Sequence, residues 1–369
     1  MQKRGISWRA LRSRIMVFDA TLAILIFLIM SIGIVTLYSA GIDFPGRVED
    51  QLRNIVICFG VMWLVANIPP QTLMRFAIPV YTFGIALLLA VAAFGLIKKG
   101  ARRWLNVGVV IQPSEMMKIA VPLMLAWYFQ KREGALRWRD FVVAAVILGI
   151  PVGLIARQPD LGTATLVVAA GFAVVFLAGL SWKFMLSLGA AAAVLIPTVI
   201  WPMLHDFQRD RVLTMLDPNR DPLGKGFHII QSTIAIGSGG LHGKGWLKGT
   251  QAHLEFIPEH TTDFIFAVFS EEFGFIGNLV LVSLYFLLIV RCLMIAANAA
   301  TLFARLLAGA MTMIFFTYAF VNMGMVSGIV PVVGVPLPFM SYGGTALLTL
   351  GIAAGILMSV QRNRKLVQT

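Results

Sequence analysis

The chain has 369 residues, of which 59% are hydrophobic and 13% are charged, and its mean hydropathy is +0.85. One water-soluble core cannot hide so many apolar side chains, so the composition excludes a soluble enzyme, a soluble nucleic-acid-binding protein and a disordered chain. In a membrane protein, the net charge of +13 is informative through its distribution between the two sides of the membrane. Cys58 and Cys292 lie inside apolar runs and predict neither a structural disulfide nor a zinc site.

Ten apolar runs follow one another along the chain. Each predicts a helix, because lipid cannot satisfy exposed backbone N–H and C=O groups. The runs lie at residues 20–38, 54–68, 76–97, 116–129, 141–156, 163–180, 184–204, 265–290, 306–330 and 343–360. The predicted fold is therefore all-α: a single integral-membrane domain over residues 1–369 with about ten transmembrane helices.

The one long excursion is residues 205–262, which the topology predicts as an extracytoplasmic loop. Within it, residues 227–236 form a short amphipathic stretch suited to the membrane interface. Residues 237–246 are rich in glycine and predict a turn whose backbone N–H groups form a possible nest for an anion. Loops of this length without a function are uncommon.

The distribution of charge predicts the orientation. With the N-terminus in the cytoplasm, sixteen of the 30 Lys and Arg residues and three of the 17 Asp and Glu residues fall on the inner side. The inner side then carries the whole net charge of +13, as the positive-inside rule requires. We therefore expect an even number of crossings and both termini in the cytoplasm.

A first group of polar residues lies where the predicted outer loop re-enters the membrane. Asp263 and Glu271 are eight positions apart, about two helical turns, so a helix that begins here would direct both carboxylates to one cavity. The alternative is ordinary capping, in which Thr261, Thr262 or Asp263 accepts a hydrogen bond from the first turn.

A second group joins a basic loop to the start of a helix. Four of the six residues in loop 98–103 are Lys or Arg, on the side where the positive-inside rule disfavours them. Either lipid phosphates and acidic loops neutralise them, or the loop, with Arg102, binds an anionic headgroup. Trp104 is typical of an interfacial aromatic belt. Glu115 and Lys118 are three positions apart and either neutralise each other or contact a substrate.

Two further segments lie at predicted outer helix ends. Asp160, in a tight turn, is either a helix N-cap or an additional cavity carboxylate. Prolines interrupt residues 331–345 before the last helix. Irregular backbone at membrane depth is tolerated only when it is packed in protein or lines a wet cavity. The segment therefore predicts an outer cavity. Ser341 either lines this cavity or forms hydrogen bonds to the freed backbone groups.

Together these segments resemble the SEDS family of polytopic bacterial cell-wall proteins, from about residue 19 to 365. The similarity is carried by ordered motifs at residues 112–115, 158–162, 216–251, 259–266 and 335–344. Residues 326–334 and the long loop make the sequence more similar to elongation members of the family than to division members.

This resemblance implies ten transmembrane helices and a peptidoglycan glycosyltransferase of the bacterial cytoplasmic membrane that polymerises lipid II on the outer face. It also implies a partner, the class B penicillin-binding transpeptidase of the elongation machinery, and makes Mg²⁺ or Mn²⁺ a plausible cofactor. The essential aspartate of the family corresponds to Asp263. His260 lies one position further back than the histidine of elongation members, so we assign it no role.

In such a transferase Asp263 deprotonates the acceptor sugar, while basic residues of loop 98–103, Lys118 or a divalent cation hold the diphosphate. The ligands of such an ion do not follow from the sequence, and no organic cofactor is implied. The candidates for substrate binding or positioning are Arg102, Trp104, Glu115, Lys118, Asp160, Glu271 and Ser341. Two rival functions are a lipid II flippase and a non-catalytic scaffold for the transpeptidase.

Overall fold

The computed structural model describes residues 18–42, 44–98, 101–106, 108, 110–203, 206–218, 225–250 and 259–364. These residues are mainly helical. The α-helices, in chain order, are α1 (Ala20–Ala40), α2 (Arg47–Ala66), α3 (Pro70–Arg75), α4 (Ala77–Phe94), α5 (Pro113–Lys131), α6 (Trp138–Arg157), α7 (Leu161–Leu177), α8 (Trp182–Leu195), α9 (Trp201–Met203), α10 (Asp206–Leu216), α11 (Lys225–Ser238), α12 (Ile265–Ala297), α13 (Leu302–Val326) and α14 (Gly344–Arg362). A π-helical stretch, Ile196–Ile200, joins α8 to α9.

Each of the ten apolar runs falls mainly on a helix, although residues 96 and 97 of the third run belong to a strand. The prediction of a mainly helical, polytopic membrane protein is confirmed at that level. In the described part of the chain, seven helical segments are long and apolar enough to cross a membrane by length and composition. Helices α2, α5 and α7 are not among them: α2 and α5 carry charged residues in their first turns, and α7 has 17 residues. The number of crossings and the position of the termini stay predictions.

The expectation of an all-α fold is wrong for the segment after α4. Residues predicted as a basic loop form a small antiparallel sheet, in which β1 (Leu96–Lys98), β2 (Ala101–Asn106) and β3 (Val110–Ile111) are neighbours in that order. A loop outside the lipid satisfies its backbone groups through a hairpin as well as through a helix. Gly95 permits the sharp exit from α4, since a Cβ there would lie 2.4 Å from Val91 O.

The core is built from helices that approach closely. Helix α14 packs along α2, α12 packs against α1 and α13, and α13 also packs against α5 and α7. Small residues allow this approach: a Cβ on Gly351 would lie 2.7 Å from Cys58 Sγ, and one on Gly355 would lie 2.8 Å from Met62 O. Glycine contacts of this kind are typical of helix packing in membranes, where backbone proximity replaces the hydrophobic driving force.

The predicted outer loop contains regular structure. Helix α11 includes the amphipathic stretch 227–236 and packs against α12 and α13. Its Ser232 is buried and donates a hydrogen bond to Val326 O (2.9 Å). Helix α10 precedes it. The rest of residues 205–262 is described in part, with 205, 219–224 and 251–258 outside the described residues.

Helix α12 is broken at Gly274, whose φ of 65° and ψ of −160° are not helical. Residues 237–250, called the glycine loop below, dock into this break. The carbonyls of Glu271 and Glu272 accept hydrogen bonds from Lys244 N and Gly245 N, both at 3.0 Å. On the other side of the break, the N–H groups of residues 275 and 276 donate to the carbonyls of residues 240 and 241. The glycine loop thus satisfies the backbone groups that the break releases.

Candidate active site

Asp263 lies in a turn, residues 259–264, that precedes α12. The helix begins at Ile265 with Phe264 as its N-cap, and no side chain caps it. The capping interpretation of Asp263 is therefore wrong. The expected common helical face with Glu271 is also wrong, because Asp263 is outside the helix. Its side chain is half-buried.

The proline-containing segment, residues 331–343, packs directly on this turn. Ser341 Oγ donates to Thr262 O (2.6 Å) and accepts from Leu337 N (2.7 Å). Tyr342 N donates to Thr261 O (3.0 Å). Of the two roles considered for Ser341, the structure shows hydrogen bonding to freed backbone groups, and the side chain is only 5% exposed.

Asn322 forms hydrogen bonds with both the turn of Asp263 and the proline-containing segment. This residue of α13 is fully buried, and its Nδ2 donates to both Asp263 O (2.8 Å) and Val335 O (2.7 Å). Gly334, with a φ of 72°, brings the segment against the carboxylate, since a Cβ there would lie 3.2 Å from Asp263 Oδ2. A larger residue at 334 would have to adopt a strained conformation and enter the space beside the carboxylate.

The first turn of α2 forms another wall of the site. Arg47 donates a hydrogen bond from Nη1 to Thr261 Oγ1. Its guanidinium also lies 3.7 Å from the ring centroid of Phe44 and 5.6 Å from that of Tyr342. One turn further along α2, Gln51 Nε2 donates to Ser341 O (3.1 Å). Helix α2 therefore holds both the turn of Asp263 and the proline-containing segment.

Asp160 is the N-cap of α7, with Oδ1 accepting from Thr163 N (3.2 Å). Oδ2 accepts from Gln112 Nε2 (2.9 Å), so the motifs 112–115 and 158–162 meet in space. Arg103 Nη1 lies 3.8 Å from Asp160 Oδ1, and the carboxylate is buried. Asp160 thus caps α7 and, at the same time, lies beside the guanidinium of Arg103.

This network is continuous with Asp263 through the proline-containing segment. Gly162, in the first turn of α7, contacts the segment so closely that a Cβ there would lie 2.7 Å from Val333 O. The next residue of the segment, Gly334, faces the carboxylate of Asp263. The structure therefore brings the predicted residues Asp160, Ser341 and Asp263 around one stretch of backbone.

Glu115 and Lys118 form an ion pair within α5, with Nζ 2.5 Å from Glu115 Oε1. Lys118 is 2% exposed and also hydrogen bonds to the hydroxyl of Tyr318 on α13. Glu115 Oε2 accepts from Thr349 Oγ1 on α14 (3.2 Å). The pairing alternative is confirmed, and the pair connects three helices in the core.

Arg102 and Trp104 lie on strand β2. Arg102 is exposed, and its Nη1 donates to Ala92 O (3.2 Å), at the end of α4. Trp104 is half-buried and opposes Leu96 in the register of the hairpin. Both residues therefore stand on the small sheet beside the helix ends, with Arg103 between them on the opposite side of the strand.

Glu271 is fully buried away from the turn, where Oε1 accepts from Lys244 Nζ (2.6 Å) and Thr250 N (2.9 Å). The neighbouring Glu272 is also buried, and its Oε1 accepts from Leu247 N (3.1 Å). The two carboxylates are thus bound by the N–H groups of residues 247 and 250 and by Lys244 Nζ. The backbone of the predicted nest, residues 237–246, instead donates from Lys244 N and Gly245 N to backbone carbonyls. These contacts fasten the glycine loop to α12.

A divalent cation finds no preformed protein site in the described residues, which contain no group of three or more His, Cys, Asp or Glu side chains able to hold one. Glu115, Asp160 and Glu271 are each next to a cation of the protein. His228 of α11 lies near the turn, with its ring 6.1 Å from that of Phe264. Burial lowers the pKa of His228, and the opposing effect of Glu259 is smaller.

Sequence reasoning missed Asn322 and Arg47. An amide inside an apolar helix is itself a signal, because polar groups at membrane depth are costly and must find partners. Asn322 could have been found in this way. Arg47 gives no such signal, since a basic residue at the start of a helix is ordinary in sequence, and its contacts with Thr261 and Tyr342 depend on the fold.

The sequence matches the model of a known family. The model of the family FtsW/RodA/SpoVE, described as a cell cycle protein family, matches residues 17–366. The chain belongs to this family. The resemblance to SEDS proteins is therefore confirmed over almost the full length of the chain.

Relatives within the FtsW/RodA/SpoVE family carry enzyme names. The chain is 48% identical to the peptidoglycan glycosyltransferase MrdB of Escherichia coli over 350 residues, 95% of each protein. It is 32% identical to the peptidoglycan glycosyltransferase RodA of Treponema pallidum over 420 aligned positions, covering 93% of this chain and 97% of the relative.

Solved structures of the family share the fold. One is a chain from a peptidoglycan synthase complex that coordinates polymerisation and crosslinking, with a TM-score of 0.83, 36% identity and coverage of 95% of this chain and 99% of that chain. Another is the rod shape determining protein RodA of Thermus thermophilus, with a TM-score of 0.72, 29% identity and coverage of 95% and 98%.

Proposed function

We propose that the chain is a peptidoglycan glycosyltransferase that polymerises lipid II into β-1,4-linked glycan strands during cell elongation, with Asp263 as the general base. The observation that carries the proposal is the placement of Asp263: a half-buried carboxylate outside the helix, held through its backbone by Asn322 and bordered by Gly334. The names of the relatives in the family support the reaction class.

The reaction is a single inverting displacement. Asp263 takes the proton of the 4-hydroxyl of the GlcNAc of lipid II, the acceptor. The oxygen attacks C1 of the lipid-linked glycan donor, the bond from C1 to the diphosphate breaks, and undecaprenyl diphosphate leaves. An α-linked donor gives a β-linked product, so the reaction needs one principal carboxylate and no covalent enzyme intermediate.

The geometry suits a general base. A base must be held within hydrogen-bonding reach of the proton that it removes, and small displacements are costly in rate. The backbone on both sides of Asp263 is fixed, at Thr261 and Thr262 by the proline-containing segment and at Asp263 O by Asn322. The half-buried carboxylate combines this rigidity with access from the outer side.

The other predicted site residues receive different roles in this proposal. Ser341 and Asp160 position the backbone around Asp263. Arg102 and Trp104, on the small sheet, contact the sugar or peptide part of the substrate. Glu115 and Lys118 stabilise the core beneath the site, and Glu271 anchors the glycine loop.

Mg²⁺ or Mn²⁺ remains part of the proposal, although the described residues do not provide a ready set of ligands. Magnesium in phosphate chemistry is commonly bound by substrate phosphates, waters and one or two carboxylates. We propose that any such ion is carried mainly by the diphosphate. Glu115, Asp160 and Glu271 are already engaged with Lys118, Arg103 and Lys244.

We propose a class B penicillin-binding transpeptidase as the partner and the bacterial cytoplasmic membrane as the location. The similar chain from a synthase complex that couples polymerisation to crosslinking supports the partner. The apolar helices support the membrane. The excess of basic residues on one side supports a site that faces the exterior, with both termini inside.

The test of the function separates polymerisation from transport and from scaffolding. The full-length protein is purified in detergent and incubated with lipid II and Mg²⁺ or Mn²⁺, alone and with its transpeptidase, and the glycan products are resolved on a gel. We expect glycan polymer. Movement of lipid II across proteoliposomes without polymer would support a flippase, and partner binding without either activity would support a scaffold.

A further inference from the structure

A polymerase that uses a lipid diphosphate needs a cation at the leaving group, across the reacting C1 from its general base. Departure of the diphosphate develops negative charge, which fixed positive groups stabilise best. The sequence suggested loop 98–103 and Lys118 for this task. In the structure Lys118 is buried against Glu115, and Arg103 is bound to Pro159 O (2.5 Å) and lies near Asp160. Lys118 and Arg103 each lie beside a carboxylate, whereas Arg102 is exposed on β2, where its Nη1 donates to Ala92 O at the end of α4.

Arg47 has the properties that these residues lack. It contacts the turn of Asp263 directly, through Thr261 Oγ1, and its side chain is half-buried. Within the described part of the chain, its contacts are this hydroxyl and two aromatic rings, and no carboxylate is paired with it. The nearby Asp50 is bound to Arg53 at 2.8 Å.

The surroundings of Arg47 also fix its guanidinium in place. The centroid of the Phe44 ring lies 3.7 Å away and that of Tyr342 lies 5.6 Å away, so aromatic rings limit the orientations of the planar group. A guanidinium has five N–H donors in a rigid fork, and the hydrogen bond to Thr261 uses one nitrogen. The remaining donors suit a phosphate, which arginine recognises through paired hydrogen bonds.

The contact of Arg47 with Thr261 lies close to Asp263 along the chain. Thr261 is two residues before Asp263, and two residues span at most about 7 Å. A diphosphate bound at Arg47 would therefore lie near the turn of Asp263, and an in-line displacement would place the sugar C1 between the diphosphate and that carboxylate. We propose that Arg47 binds the diphosphate of the lipid-linked donor beside Asp263. This inference rests on the proposed function and adds a binding residue to it.

Equilibrium binding of undecaprenyl diphosphate tests the proposal without requiring turnover. The variants are Arg47→Gln, Arg47→Lys and Thr261→Val in the full-length protein, with Arg53→Gln as a matched control on the same helix. We expect Arg47→Gln to weaken binding about tenfold to a hundredfold, since a hydrogen bond to a charged group is lost. Arg47→Lys keeps part of the affinity, while Thr261→Val and Arg53→Gln keep nearly all of it.

Competition experiments define the ligand. Inorganic pyrophosphate should compete in the wild type and lose this effect in Arg47→Gln, whereas vesicles of phosphatidylglycerol should not compete. Unchanged affinity in Arg47→Gln would overturn the proposal. An equal loss in Thr261→Val would also overturn it, because Arg47 would then act only by anchoring the turn. Wild-type protein that binds diphosphate but makes no glycan would instead count against the proposed function.

Discussion

Asn322 illustrates how one buried side chain positions a reactive one. Its Nδ2 donates to carbonyls on two segments that approach from different parts of the chain, those of Asp263 and Val335. A carbonyl buried without a donor costs about 1–3 kcal/mol, so this single amide stabilises the site out of proportion to its size.

We therefore expect Asn322→Leu to lower the turnover rate more than it lowers substrate affinity, and to lower the melting temperature. The measurements are glycan synthesis at several lipid II concentrations and thermal unfolding in detergent. Asn298→Leu is the control, because Asn298 is exposed and its Nδ2 bonds only within its own helix end. Full turnover in Asn322→Leu would contradict a positioning role.

The pair of Glu115 and Lys118 predicts a different pattern. Removing one member leaves a buried charge without a partner, which costs about 3–5 kcal/mol, whereas removing both is much cheaper. We expect Glu115→Gln and Lys118→Met each to lower the melting temperature strongly, and the double variant to be more stable than the worse of the two. Additive losses in the double-mutant cycle would show that the two side chains are not coupled.

At the level of single residues, the sequence supports some roles and leaves others undetermined. Asp263 is identified through the motif that surrounds it. The i, i+3 spacing of Glu115 and Lys118 suggests pairing as one of two alternatives, with substrate contact as the other. The contacts of Arg47, Gln51 and Asn322 connect helices that are distant in sequence, so spacing along one helix contains no information about them.

Among the elements, the break in α12 and the glycine loop form one unit. Gly239 and Gly243 approach so closely that a Cβ would lie 2.1 Å from Ser270 O or 2.0 Å from Glu272 O. A Cβ on Gly274, inside the break, would lie 2.3 Å from Gly243 N. Backbone contact at these distances is possible only with glycine on the facing side.

We expect Gly243→Ala to release the glycine loop from α12. The added Cβ meets Glu272 O, and the φ of 79° is strained for alanine. Gly240→Ala is the matched control, since its φ is 55° but no atom lies within 4 Å of the new Cβ; the expected cost is about 1 kcal/mol. Limited proteolysis should cut the loop faster in Gly243→Ala, and equal rates in the two variants would contradict the docking.

The sequence predicts some elements correctly and others not, and the difference has a physical cause. Apolar runs report helices reliably, because lipid leaves the backbone few other choices. Outside the lipid this constraint disappears. Leu96–Lys98, Ala101–Asn106 and Val110–Ile111 therefore form strands, although the apolar run predicts helix up to residue 97 and a loop after it. The apolar run predicts the start of α12 at residue 265 correctly. The alternative in which Asp263 caps the helix follows from its residue type, and its exclusion from the helix depends on contacts with Asn322 and residues 331–343.

For the whole molecule, the central prediction is orientation. The charge distribution places residues 131–140 inside and the start of α2 outside. Cys58 and Cys292 are buried, at 1% and 0% exposure, so an added cysteine gives a clean signal. We expect an impermeant maleimide to label Pro45→Cys in intact spheroplasts, and Ala135→Cys only after permeabilisation. The opposite pattern would place Asp263 on the cytoplasmic side.

The most direct test of the account is Asp263→Asn. Asparagine keeps the size of the side chain but cannot take the proton of the acceptor hydroxyl, so glycan synthesis should fall about 10²–10⁴-fold, the usual contribution of a general base. The variant should still fold, bind its transpeptidase and bind undecaprenyl diphosphate. Polymerisation by folded Asp263→Asn at the wild-type rate would contradict the assignment of Asp263 as the base.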